Sequence, residues 1–449
     1  MDARKLLLLL DPLIAKTYYI DATAGSDSNS GLSDATPWQT IAKLNATKFN
    51  PGDTIRFKAG QTWSGTTLQP VAGGNSRRPV TWASYGAGAQ PIISRATGGV
   101  ACSLTTPYHR FSNLAFTAAI NTYTACNLQD THDVLFEDCL AYAGYWAGFK
   151  VTGPGTATYN ITFRRCTARN NAEQGITVDY YPTYTNGPCN ILIEDCIAYE
   201  NGTSNSAHHG IYCNSGNSII IRGCTSYNNS GGGAKFNSTH NSIMENNYFY
   251  SDAATRQRYG FYIGDEGGDS TCEDNIFRNN LVVGNQYGIY IGTGVDHPNY
   301  IHHNTVVVNT GKGLIMNAGT AAQEIKNNIF RQDADVHGTY DCVYYMYMSG
   351  DAPINANTFD YNCITYDNDT ARVAENNSGT RWSFAQWQAL TGSPDAHSIS
   401  VDPKFVTEYT DMHLQATSPC IGAGDPTVIV TNDKDGQART TCDIGCYAA

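Results

Sequence analysis

Charge is what this chain has least of. Only 15% of its 449 residues are Asp, Glu, Lys or Arg, and no tract of it is basic. With 28 Lys and Arg against 40 Asp and Glu, the formal charge is −12. That excludes a general nucleic-acid binder, because nothing offsets the negative field. It also makes a polyanionic ligand awkward unless cations are focused locally or a metal bridges the two. Long apolar runs are missing as well. In the start "MDARKLLLLLDPLIAKTYYI" the run Leu6 to Leu10 is broken by Asp11, and no small-x-small cleavage site follows. The run is too short to span a bilayer and makes a poor signal peptide. Residues 1–16 are read as an unstructured or leader-like start, with no membrane partner. A helical period and a CxxC pair are absent too. What is present is Gly, Asn, Ser, Thr and Tyr in abundance, with 43 Gly and 29 Tyr. This is the profile of a turn-rich all-β protein.

The chain repeats itself. Nine segments align: "FEDCLAY" from Phe136, "FRRCTAR" from Phe163, "IEDCIAY" from Ile193, "IRGCTSY" from Ile221, "MENNYFY" from Met244, "FRNNLVV" from Phe277, "IHHNTVV" from Ile301, "IKNNIFR" from Ile325 and "FDYNCIT" from Phe359. Their fourth position is Cys139, Cys166, Cys196 and Cys224, then Asn247, Asn280, Asn304, Asn328 and Asn362. The spacing is 23 residues at its shortest, Cys224 to Asn247, and 34 at its longest, Asn328 to Asn362. A near-constant minimum with variable excess is one coil per repeat, with insertions at a corner. Each coil is too short for a βαβ unit, and its apolar positions come in short alternating runs. Three short strands per coil, stacked on the next coil, make a parallel β-helix. Stacking spaces equivalent residues by about 4.8 Å, so the fourth position is an internal ladder of four packed thiols and then five hydrogen-bonded amides.

These repeats, with "YYIDATAGSDSNSGLSDATPWQTIAKLNATKFNPGDTIRFKAG" ahead of them and "FAQWQALTGSPDAHSISVDPKF" and "LQATSPCIGAGDP" behind, resemble the right-handed parallel β-helix proteins of the pectate-lyase-like superfamily. The resemblance implies a single right-handed parallel β-helix of roughly ten or more coils. It implies an N-terminal cap and first coils over 17–90, a helical core over 91–365, and closing coils and a cap over 366–449 with a short helix around Trp382 to Leu390. It also implies an extracellular or virion-associated protein acting on or binding a polysaccharide, a monomer unless virion-associated trimers form. It does not specify the chemistry, since the fold hosts lyases, hydrolases, epimerases and tailspikes. Cys420, Cys442 and Cys446 are the cysteines expected to form a disulfide.

A second strand begins at a glycine in each coil, as in "GFKV" from Gly148, "GITV" from Gly175, "GIYC" from Gly210, "GAKF" from Gly233, "GFYI" from Gly260, "GIYI" from Gly288 and "GLIM" from Gly313. The second and fourth residues are apolar and point inward, so the third points out. That outward column reads Lys150, Thr177, Tyr212, Lys235, Tyr262, Tyr290 and Ile315. Lys235 follows three glycines in "SGGGAKFN", and is expected to stand exposed in a trough between tyrosines. Before the strand lie Glu173, then His208 and His209, then Arg258; after it lie Asp179, Asp265 and Glu266. His208, His209, Tyr212, Lys235 and Asp179 are the catalytic candidates. Lys150, Glu173, Arg258, Tyr262, Asp265, Glu266 and Tyr290 are the substrate-binding ones. A lyase needs a cation for the uronate carboxylate, a base for the adjacent proton and an acid for the leaving oxygen. Lys235 or a histidine as base, with Tyr212 or Tyr262 as acid, meets that need, and Asp179 with Glu173 can hold a calcium ion. The aspartate clusters and the Arg-bearing motif of calcium-dependent pectate lyases are absent. So is the tandem-Asp motif of polygalacturonases. A glycoside hydrolase using Asp/Glu pairs in the same groove, and a non-catalytic glycan-binding tail or surface protein, stay open as alternatives.

Overall fold

The computed structural model describes residues 14–118, 123–180, 186–203, 207–252, 257–265, 271–308, 311–332, 342–347, 354–366 and 373–448. Each coil lays one strand in each of three long sheets. His132–Glu137, Leu140–Tyr142 and Ala147–Thr152 make one such coil, and Tyr159–Arg164 returns to pair, in parallel, with His132–Glu137. Among the described residues the first sheet has thirteen strands and the other two have twelve. The architecture is the expected parallel β-helix.

The corners explain why this composition folds so. The residue before each ladder position adopts the left-handed conformation: Asp138, Arg165, Asp195, Gly223, Asn246, Asn279, His303, Asn327 and Tyr361 all have φ between 50° and 64°. Asp and Asn tolerate that conformation better than other non-glycine residues. The ladder residues themselves are buried. Cys166, Cys196 and Cys224 donate their thiols to the carbonyls of Phe136, Phe163 and Ile193 in the preceding coil, each at 3.4 Å. The asparagines donate at the same place, as Asn280 does to Met244 at 2.8 Å. Each asparagine also accepts the backbone N–H of the coil before it. Two further amide ladders stand at the other corners: Asn171, Asn201, Asn229 and Gln257, and Asn275, Asn299 and Gln323. The repeat alignment did not reach them.

Phenylalanines fill the interior, with Phe111, Phe136 and Phe163 stacked at 4.5 and 5.6 Å between ring centroids. The outer face of the first sheet carries alternating charges in register: Glu137, Arg164, Glu194, Arg222, Glu245 and Arg278. Arg164 bonds Glu194 at 2.8 Å, and Glu245 is gripped by Arg222 at 2.7 Å and Arg278 at 2.8 Å. At the C-terminal end, the helix Phe384–Gln388 starts at Ser383 in a capping box, within the span expected for it. Its Trp387 donates to Asp395, and the same buried carboxylate accepts from Asn362 and so ends the asparagine ladder. All fourteen cysteines are free thiols. Cys420, Cys442 and Cys446 are thus unbridged, contrary to expectation.

Candidate active site

The outer face of the third sheet is built as the glycine-led strands imply. Lys150, Thr177, Tyr212, Lys235, Tyr262, Tyr290 and Ile315 pair in register, coil upon coil. Exposure is where expectation fails. Lys235 points outward but is only 4% exposed. Its ammonium lies 4.1 Å from the ring centroid of Tyr262 and 5.6 Å from that of Tyr212. With coils about 4.8 Å apart, rings one coil above and below close over a lysine between them. Lys150, Tyr212, Tyr262 and Tyr290 remain half-buried.

The glycines ahead of Lys235 do not open the wall, as the sequence suggested. They make room for groups from other coils. A Cβ on Gly232 would lie 2.9 Å from His209 Nδ1, so glycine there seats the imidazole of the preceding coil. A Cβ on Gly264 would lie 3.0 Å from Lys235 Cε, so the lysine stem crosses the next coil at a glycine. His209 is buried, with its ring 5.8 Å from that of Tyr212 and 6.3 Å from that of Tyr262. Burial first, then the charges of Lys235 and His208, hold its pKa well below the usual value. The imidazole is therefore neutral at neutral pH, and its Nδ1 has no hydrogen-bond partner. The backbone N–H of His209 donates to Gln174 Oε1 at 2.6 Å, and Gln174 Nε2 donates to Ala207 O at 3.1 Å. Gln174 thus holds the histidine-bearing loop, a role the sequence did not reveal. His208 beside it is half-buried, its pKa lowered by burial, with Nδ1 likewise unpartnered.

The remaining candidates form separate groups. Asp179 does not join Lys235; it pairs with Lys150 at 3.0 Å, one coil earlier, and its Oδ1 is buried without a partner. Glu173 is half-buried. Burial raises its pKa, and the Lys150 charge only partly opposes this. No group of three or more His, Cys, Asp or Glu able to hold a metal occurs among the described residues. A calcium ion needs six to eight oxygens, and Asp179 already serves an ammonium, so Asp179 and Glu173 do not fit it. Asp265 is half-buried and accepts from Ser238 Oγ at 3.3 Å, with its pKa raised by burial. Glu266 lies outside the described residues. Arg258 is exposed and stacks on Tyr259 and Tyr287 at 5.3 and 5.5 Å. Tyr290 packs at 4.6 Å from Tyr262, and its hydroxyl bonds Asn317 Nδ2. Lys312, not singled out before, extends the surface by lying over Tyr345 at 4.2 Å. Its signal was the position before Gly313, which is in register with Tyr287.

A family model described as a right-handed β-helix region matches residues 181–330. Among solved structures, a lacto-N-biosidase from Eubacterium ramulus superposes with TM-score 0.58 at 16% identity, covering 74% of this chain and 67% of that one. A pectate lyase superposes at 0.55 and 16% identity over 97% and 96%, and a rhamnogalacturonan lyase at 0.54 and 17% over 88% and 91%. A curated lacto-N-biosidase from Bifidobacterium longum is 33% identical over 89 residues, which is 19% of this chain and 5% of that protein. The chain thus spans a small fraction of that relative's length. The fold is the right-handed parallel β-helix that such carbohydrate-active enzymes share.

Proposed function

We propose that this chain cleaves an acidic polysaccharide by β-elimination on the outer face of the third sheet. The observation that carries this reading is the cluster at Lys235: an ammonium held between two phenols, beside a neutral, buried imidazole with an unpartnered Nδ1. Each part has a task. The Lys235 charge neutralises the uronate carboxylate and the enolate that develops from it. His209 takes the proton from the carbon beside the carboxylate. That electron pair forms the new C=C bond as the C–O bond to the next sugar breaks. Tyr212 or Tyr262 gives its phenolic proton to the leaving oxygen. A sugar ring reaches Lys235 only when one of these half-exposed tyrosines turns aside. The site then excludes water, and the charges inside act at full strength.

A hydrolase is the second reading. Glu173 holds its proton more readily than an ordinary glutamate, as a general acid should, and the short curated match is to a glycosidase. The Lys150–Asp179 pair weighs against it, since it engages the other nearby carboxylate.

The test uses a panel of polyuronates. The lyase reading expects ultraviolet absorbance from the unsaturated product, lost in Lys235→Met with circular dichroism unchanged. Methionine keeps the stem between the rings, whereas alanine would leave a hole at a site 4% exposed. Reducing ends released without that absorbance, and abolished by Glu173→Gln, would replace the lyase with the hydrolase.

A further inference from the structure

On the first sheet and the turn that leads into it, arginines are of two kinds. Arg164, Arg222 and Arg278 are each matched by a glutamate in a neighbouring coil. Arg77 and Arg110 form no salt bridge with any described residue, and both are exposed. The in-register neighbours of Arg110 are Thr81 and Leu135, neither of which can neutralise it. In a chain of formal charge −12 with only 28 Lys and Arg, two guanidinium groups that line one cavity without an acidic partner offer a place to an anion.

They also line cavities. One, of about 270 Å³, is bordered by Tyr108, Arg110, Asp133, Asn160 and Arg164. A shallower one of about 570 Å³ adjoins it, sharing Arg110 and Pro79 and adding Arg77 and Arg78. Arg77 is presented on a tight turn. Asn75 and Arg78 exchange backbone hydrogen bonds at 3.1 Å, and Asn75 Oδ1 accepts the N–H of Arg77 and of Arg78. The turn fixes the backbone under Arg77, so less backbone entropy is lost on binding. Beside it Tyr108, His132 and Tyr159 form a ladder of rings at 5.2 and 4.5 Å.

We propose that this N-terminal part of the first sheet is a second glycan-binding site, for a saccharide bearing carboxylate or sulfate groups, on a different face from the cleavage site. The guanidinium groups of Arg77 and Arg110 take the anionic group in forked hydrogen bonds. Asn160 and Asp133, themselves linked at 3.3 Å, suit sugar hydroxyls. Asp133 in the same cavity disfavours a densely charged phosphate polymer, which would meet its carboxylate at every step.

Binding of the full chain to sparsely substituted carboxymethyl-dextran and to sparsely sulfated dextran tests this, with neutral dextran and a single-stranded DNA oligonucleotide as controls. The two charged dextrans distinguish carboxylate from sulfate, and binding to either supports the site. Arg77→Gln with Arg110→Gln should weaken that binding roughly tenfold or more, with an unchanged melting temperature because both residues are exposed. Arg258→Gln with Lys312→Met, on the third sheet, should leave it intact. The proposal falls if the Arg77/Arg110 variant binds like the parent, if the third-sheet variant abolishes binding instead, or if DNA binds as tightly as the charged dextrans. None of these outcomes depends on cleavage.

Discussion

Replacing Asn280 by leucine tests the amide ladder at near-constant volume. The Asn280 side chain makes four hydrogen bonds in a fully buried setting. Its Oδ1 accepts Asn247 N at 3.1 Å and Asn247 Nδ2 at 2.9 Å, and its Nδ2 donates to Met244 O at 2.8 Å and Asn304 Oδ1 at 3.0 Å. Leucine removes all four. Asn304 suffers least, since its Oδ1 keeps the backbone N–H of residue 280 at 3.0 Å. Asn247 suffers most, because its backbone N–H is left buried with no partner. An orphaned buried donor costs about 1–3 kcal/mol and each of the three other lost bonds about 1 kcal/mol, so the sum is about 4–6 kcal/mol. For a chain of this length the unfolding entropy scales to about 1 °C of melting temperature per kcal/mol. A drop of about 4–6 °C follows, readable by calorimetry or by circular dichroism. An unchanged melting temperature would show that the ladder's hydrogen bonds contribute nothing net over an apolar filling, and the argument from stacked amides would be wrong.

Gly232→Ala should displace the buried His209 ring and cut turnover at a cost of about 1–3 kcal/mol in stability, measured as kcat on the cleaved substrate beside the melting temperature; full activity would remove His209 from the mechanism. Stability should fall as pH drops below about 6.5, because His109, at about 3, and His209 and His303, well below the usual value, are kept neutral chiefly by burial and take up protons on unfolding. Three such protons amount to roughly 4 kcal/mol per pH unit, and Asp395, pushed up to about 6 by burial, opposes with one proton between that pH and about 4. Equal urea midpoints at pH 7 and 5 would contradict this balance. Glu245→Arg should cost about 2–4 kcal/mol, since Glu245 is 8% exposed between Arg222 and Arg278, and added salt should recover part of the loss; an unchanged denaturation midpoint would show the charge ladder to be idle.

Much of the fold was legible because a β-helix writes its coil into the sequence as a period. The ladder of Cys139 to Asn362 and the outward column through Lys235 both follow from strand alternation, which is local. Exposure is not local. Whether Lys235 is open depends on the height of Tyr212 and Tyr262 in the coils on either side, and no alternation rule encodes that. The glycines of "SGGGAKFN" misled for the same reason. Their missing side chains looked like empty space, but the space at Gly232 belongs to His209. The diagonal pairing of Lys150 with Asp179 likewise needs a side-chain direction, not a register. The charge ladder is a different case. Its signs stand in the second letter of the aligned segments, Glu137, Arg164, Glu194, Arg222, Glu245 and Arg278, and become visible only when that letter is read across repeats. The amide ladders at Asn171 and Asn275 fell outside the aligned segments altogether.

How this chain spends so few charges bears on where its sites lie. On the first sheet alternating signs neutralise one another coil by coil, and a coil paired two positions away would set like against like. Such a ladder specifies stacking order and leaves nothing for a ligand. Lys235 is treated differently. It receives two ring faces, which hold an ammonium without neutralising it, beside an imidazole that burial keeps uncharged. Arg77 and Arg110 are left open to solvent. In a protein with abundant charge none of these differences would carry weight. At 15% charged residues, exposed guanidinium groups that no described residue pairs, as at Arg77 and Arg110, are available for an anion supplied from outside. That place and the strip around Lys235 lie on two different faces, and the same kind of ligand, a saccharide bearing negative charge, is proposed for each.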